Sequence, residues 1–188
     1  MATPPLFIDA EILYASQLNK IGSWLVNSTT IGSAVSTVNI DGCFTSDYRN
    51  YLVVVTGANA SANNLLQGNW RSGGVNLAGA GTYQYACTRF DATATAFNFG
   101  STGNTFFETG INLFAGVTTN GFAMYVYNPQ STSFETTASL TGTGVISGPS
   151  TVSTAIRLAV TTTVTGFQLR TSAGTITGGT IRVYGLRD

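Results

Sequence analysis

The sequence predicts an all-β fold, an antiparallel sandwich preceded by a short N-terminal arm. Three observations carry this. From Ile31 onward, short runs rich in Val, Ile, Thr, Tyr and Phe alternate with clusters of Gly, Asn and Ser. The runs recur close to the roughly 8–12-residue spacing of a sandwich or barrel. No interior segment carries helical apolar spacing, which disfavours a βαβ arrangement.

The elements follow in order. Pro4 and Pro5 give an extended start. Asp9 is placed to cap a helix from about Ala10 to Trp24, whose Ile12, Leu13, Leu18, Ile21 and Trp24 fall near helical spacing. Gly22 is placed to end it early. This helix either docks the subunit onto a neighbour or packs across the open end of its own sheet, and both readings stand. Strands are expected at 35–40, 50–57, 64–71, 82–90, 105–116, 121–128, 132–141, 151–164, 166–171 and 175–186. The stretches "SGGVNLAGAG" and "TGTGVISGPS" read as loops from their Gly and Pro punctuation.

Alternation assigns faces. Ile156, Leu158, Val160 and Val164 fall on one face opposite Arg157 and Thr161; Phe167 and Leu169 oppose Gln168 and Arg170; Ile181 and Val183 oppose Arg182 and Tyr184. These read as strands with one wet face. "YLVVV", Tyr51 to Val55, is apolar on both faces. That strand is either covered twice or meets another subunit. Tyr83 with Tyr85, and Tyr125 with Tyr127, share strand faces. They serve either core or intersubunit packing, or stacking on sugars of a bacterial surface.

Composition limits the partners. Charged residues are 9% of 188, eight basic and eight acidic, with zero net charge; an ordinary domain carries about 25%. A surface so poor in charge tends to associate, so the chain is expected inside an assembly. One lysine, Lys20, and seven scattered arginines give no phosphate-facing cluster, so no nucleic acid is expected. No run of about 18 apolar residues is present for a membrane span. The first twenty residues lack the basic-then-apolar order of a secretory signal.

Catalytic chemistry finds little support. The chain has no histidine, which removes the commonest general base and metal ligand. The eight carboxylates show no spacing that suggests a pair for glycoside hydrolysis. Neither catalytic, cofactor-binding nor metal-binding residues are expected, and no cofactor. Cys43 and Cys87 form no zinc pattern. They read as two buried thiols, with one disulfide as the alternative.

The corner in "VNIDGCFTSDYRNYLVVV", Val38 to Val55, concentrates Phe44, Asp47, Tyr48, Arg49, Asn50 and Tyr51 in a charge-poor chain. Phe44 suits the sandwich interior. Tyr48 and Tyr51 have apolar bodies whose hydroxyls need partners if buried, and Asn50 suits a tight turn. Asp47 and Arg49 would point to opposite sides of an extended chain, so no direct pair is expected. The corner reads as scaffold that closes the sandwich, with binding as the alternative.

Two stretches carry a family resemblance: Thr30 to Gly57, with Phe44, Thr45, Tyr48, Asn50 and Tyr51, and Thr165 to Asp188, with Gly179, Ile181, Val183, Tyr184 and Gly185. "NWRSGG" at Asn69 to Gly74, "YNP" at Tyr127 to Pro129 and "ASQLNKIGSWLV" also fit. Together they resemble a β-sandwich module of tailed-bacteriophage tail-fibre, minor tail and other virion structural proteins. The resemblance weakens between residues 75 and 120. It implies a non-enzymatic virion protein, a tail fibre or minor tail component touching the host surface, with a capsid decoration protein as the alternative. The expected fold is all-β, a jelly-roll-like antiparallel sandwich over 31–188 with a helical attachment arm over 1–30. The candidate assembly contacts are Ile12, Leu13, Leu18, Ile21 and Trp24. The expected partners are further copies of the chain in a trimer, other virion proteins and a host surface glycan.

Overall fold

The computed structural model describes residues 22–93, 95–116, 120–145 and 149–186. Among them it has thirteen strands and no helix: β1 Ser23–Thr30, β2 Thr37–Ile40, β3 Asn50–Ala60, β4 Asn64–Ser72, β5 Val75–Asn76, β6 Tyr83–Phe90, β7 Ala96–Asn104, β8 Phe107–Leu113, β9 Asn120–Tyr127, β10 Thr137–Val145, β11 Pro149–Leu158, β12 Gly166–Thr171 and β13 Ile176–Leu186. They form two antiparallel sheets. The large one runs β1-β13-β3-β9-β10-β11-β6-β7, and the small one runs β2-β12-β4-β5, with β8 also on β4.

Alternation builds the interface between the sheets. In β11 every second residue is buried, so Val152, Thr154, Ile156 and Leu158 face inward. Tyr51, Val53 and Val55 of β3 and Ile181 and Val183 of β13 face the same core. The small sheet answers with Val38, Ile40, Leu66, Trp70, Phe167 and Leu169. Phe107 sits between Trp70 and Tyr83, with ring centroids 5.0 and 5.8 Å away. A Cβ on Gly68 would collide with the Phe107 ring, so only glycine lets β4 pass this close.

Two side chains hydrogen-bond across the core. The far side of β4 is shared by β8, from Asn64 to Gly68, and β5, from Arg71 to Ser72. Trp70 lies in the gap between them. Its carbonyl accepts from the Leu77 N–H at 2.9 Å, and its own N–H donates to the Tyr83 hydroxyl, from β6 of the other sheet, at 2.8 Å. The Thr154 hydroxyl of β11 donates to the Thr109 carbonyl of β8 at 2.7 Å, and the Thr109 hydroxyl donates to the Leu66 carbonyl at 2.8 Å. Buried backbone groups left without a ladder partner are costly; here facing-sheet hydroxyls or neighbouring strands take them.

Several expectations are corrected. Trp24 is in a strand, because β1 pairs with the edge of β13, Trp24 opposite Gly185. Gly22, at φ +86°, precedes it. Residues 23–30 therefore lie in the large sheet, while the remainder of the expected helix, including Ile12, Leu13, Leu18 and Ile21, lies outside the described residues. "AFNFGSTGN" is strand β7 despite its glycines, since β6 supplies a paired edge. Most of "TGTGVISGPS" is likewise strand, at the ends of β10 and β11. The strand expected at 151–164 ends at Leu158, and Val160 is 42% exposed in the following loop.

The outward face of β12, expected to be wet, is covered at Gln168, and the neighbouring face of β4 is covered with it. Gln168, Asn69 and Arg71 are buried. Arg71 forks onto Asp41 at 2.7 and 3.3 Å and also donates to Asn76 and the Gly74 carbonyl. Asn76 donates to Gln168 at 3.0 Å, and Gln168 to Asn39 at 2.8 Å. Arg71, Asn76, Gln168 and Asn39 thus form a chain of side-chain hydrogen bonds over the sheet, and Asn69 donates to the Thr105 carbonyl at 2.6 Å.

Both cysteines are free and buried. Burial pushes the Cys43 thiol up to about 12, so native protein should react with a thiol reagent only as it opens. Unfolded protein should give two thiols per chain; a count of zero without reductant would mean a disulfide. Burial likewise pushes the Tyr83 hydroxyl up to about 12, against about 10 in an unfolded chain. Its contribution is therefore full below about pH 10 and lost as pH rises to about 12. Tyr83→Phe should cost about 1–3 kcal/mol by stranding the Trp70 N–H. In denaturant titrations it should also flatten the alkaline loss of stability between pH 10 and 12.

Candidate functional site

Two surfaces combine side chains that the sequence holds far apart. The first is the corner between β2 and β3, where the chain leaves the small sheet for the large one. Phe44 is buried, its ring 4.8 Å from Tyr51, 5.9 Å from Phe167 and 6.2 Å from Trp70. The Tyr51 hydroxyl accepts from the Thr45 N–H and donates to the Thr45 carbonyl, each at 2.7 Å. Burial pushes this hydroxyl above its usual range. One phenol thereby closes both backbone groups of Thr45. Tyr48 packs its ring edge-on to Tyr51 at 5.9 Å and covers Gly185, where a Cβ would run into the Tyr48 ring.

The "YNP" stretch joins from another strand end. Asn128, the one described non-glycine residue with positive φ, at +54°, donates its N–H to the Arg49 carbonyl at 3.2 Å. Its N–H also approaches the Asn50 side-chain oxygen at 3.4 Å, while its own side-chain oxygen accepts from Arg49 Nε at 3.1 Å. Asn tolerates this left-handed conformation better than other non-glycine residues. Gln130 donates to the Phe44 and Val164 carbonyls at 2.7 and 2.8 Å. Asp47 accepts from the Thr45 hydroxyl at 3.1 Å, so Asp47 and Arg49 have separate partners. On the outside, Tyr48, Arg49, Asn128 and Phe134 border a depression of about 340 Å³.

The second surface is the outward face of β9, β10, β11 and β6. The register aligns Tyr125, Ser139, Ala155 and Ala86 in one row, and Ala123, Thr141, Ser153 and Thr88 in the next. Small residues leave two depressions here, about 530 and 420 Å³. Hydroxyls of Thr88, Thr141, Thr143, Thr151 and Ser153 line the larger, with Phe90 at its side. Arg157 borders the smaller and is forked onto Glu135 at 2.6 and 2.8 Å and bonded to Gln84 at 2.8 Å. The hydrogen bonds and charge of Arg157 hold Glu135 below the usual carboxylate range.

The structure separates the tyrosine pairs. Tyr83 and Tyr85 are buried, whereas Tyr125 and Tyr127 are 43% and 37% exposed. Leu52 and Val54 face outward beside Tyr125 and Ala123 of β9 and Tyr184 and Arg182 of β13. They are half-buried, and no described element forms a second layer over them. Sequence reasoning missed the Arg157–Glu135 fork, because Glu135 was assigned to a strand that begins only at Thr137. It also missed Phe134, which no alternation marks. Among the described residues no three metal-ligating side chains come together.

Comparison of the chain with protein-family models, with curated proteins and with solved structures finds no match. Tyr51→Phe should remove the bonds to the Thr45 N–H and carbonyl and cost about 1–3 kcal/mol in a denaturant titration, with the transition remaining cooperative. An unchanged midpoint would mean that water replaces the phenol.

Proposed function

We propose that the protein is a non-enzymatic structural component of a tailed-phage particle, a tail fibre or minor tail protein with a jelly-roll-like sandwich that touches the host surface. The observation that carries this reading is the meeting of the resembling stretches at one corner. Tyr48 covers Gly185, and Asn128 binds Arg49 and Asn50. Residues that share a motif and also one packing unit are harder to attribute to chance composition. The outward face of β9, β10, β11 and β6 suits a neutral host glycan, since its floor offers hydroxyls and its borders exposed rings that can cover apolar sugar faces. A homotrimer fits the apolar stripe of Leu25, Leu52, Val54 and Tyr184 on the same sheet, because contiguous exposed apolar surface marks association.

Capsid decoration is the second reading. The edge strand β1, "SWLVNSTT", favours it, since it has neither charge nor proline. Those are common devices that keep an exposed edge from pairing, and a clamp between capsid subunits would use such an edge.

Antibody labelling of intact particles in the electron microscope separates the readings. Label at tail tips or fibres is the expected result. Label over the head would replace the first reading with the second, and particles without label would overturn both.

A further inference from the structure

The geometry points to a binding site for an acidic saccharide, a sugar ring bearing a carboxylate, in the depression outside the corner, with Arg49 as the anion contact and Phe134 and Tyr48 as the ring contacts. This goes beyond the adhesive reading, which concerns a different face and a neutral ligand.

Arg49 differs from the other arginines with assigned partners. Arg71 and Arg157 fork onto carboxylates, and Arg89 and Arg170 lie over phenylalanine rings. Arg49 donates only Nε, to the Asn128 side chain, and among the described residues its two terminal nitrogens meet no acceptor. Asn128 is itself fixed by its left-handed backbone and its bond to the Arg49 carbonyl. The guanidinium is thus held by Asn128 at the border of the depression, and a planar guanidinium fork matches a carboxylate. The carboxylate nearest in sequence, Asp47, is held by Thr45.

The aromatic part is independent of that charge. Phe134 is 62% exposed and lines the same depression. Its loop is pinned, because the Ser131 hydroxyl accepts the Ser133 and Phe134 N–H groups at 3.1 and 2.9 Å. Tyr48 has one side against Gly185, which fixes its ring. A pyranose presents an apolar C–H face to such rings and its hydroxyls to Ser46 and Ser131, which also line the depression. The volume, about 340 Å³, falls within the roughly 300–1,000 Å³ of small-ligand sites. A bare phosphate would use the arginine and leave both rings idle.

The test is a titration of the full chain with glucuronate, glucose and inorganic phosphate, followed by NMR at the Arg49 Nε–H and the Phe134 ring. Glucuronate should shift both signals and bind at least about tenfold more tightly than glucose. Phosphate should bind more weakly and leave the Phe134 ring unmoved. Phe134→Ala, which removes no hydrogen bond, should weaken glucuronate binding about fivefold or more with unchanged thermal stability. Arg49→Gln should abolish the preference for glucuronate over glucose. Equal binding of glucose and glucuronate, phosphate binding as tightly as glucuronate, or indifference to Phe134→Ala would each overturn the site. Particle labelling reads location only, so neither result decides the other.

Discussion

The hydrogen bond from the Trp70 N–H to the Tyr83 hydroxyl is the contact on which the sandwich depends. It lies where β4 exchanges one neighbour for another, between β8 and β5. A ladder cannot supply a partner at that point, and the group lies too deep for water to do so. A phenol from the opposite sheet satisfies it and ties the two sheets together at this point. Phe107 packs against both Trp70 and Tyr83 beside it, in space that a Cβ at Gly68 would fill.

The same need recurs with other residue types. Tyr51 closes Thr45, Gln130 closes Phe44 and Val164, and Thr154 closes Thr109. A chain with 9% charged residues satisfies its buried polar groups chiefly with hydroxyls and amides. Apart from Arg71, buried and paired with Asp41, this choice limits the desolvation cost of buried ions. It also makes the fold sensitive to single-group changes, since the Tyr51 hydroxyl, the Gln130 amide N–H groups and the Thr154 hydroxyl each serve backbone groups of the corner or the core.

The few arginines with assigned partners are each held by a specific neighbour. Arg71 and Arg157 are neutralised by carboxylates, Arg89 and Arg170 are seated on rings, and Arg49 is oriented by an amide. The corner therefore has two sides with different chemistry: inside, Phe44 and Tyr51 join the sheets; outside, the cation and Phe134 border open space. The question raised by so many rings and charges in one stretch has a different answer on each side.

Alternation alone placed Ile156, Leu158, Phe167, Leu169, Ile181 and Val183 on the inward face, because side chains in a strand alternate with a period of two whatever the strand pairs with. Turn residues and β-branched runs likewise announced the all-β class. The sequence could not tell that Trp24 belongs to an edge strand, since edge pairing depends on β13, more than 150 positions away. It could not tell that Tyr83 is buried while Tyr125 is exposed, because a pair of tyrosines on one face reads alike in either direction. Nor could it bring Arg49, Asn128 and Phe134 to one depression. Local pattern fixes which residues share a strand face; only the packing of distant strands decides which face is covered and which side chains meet across it.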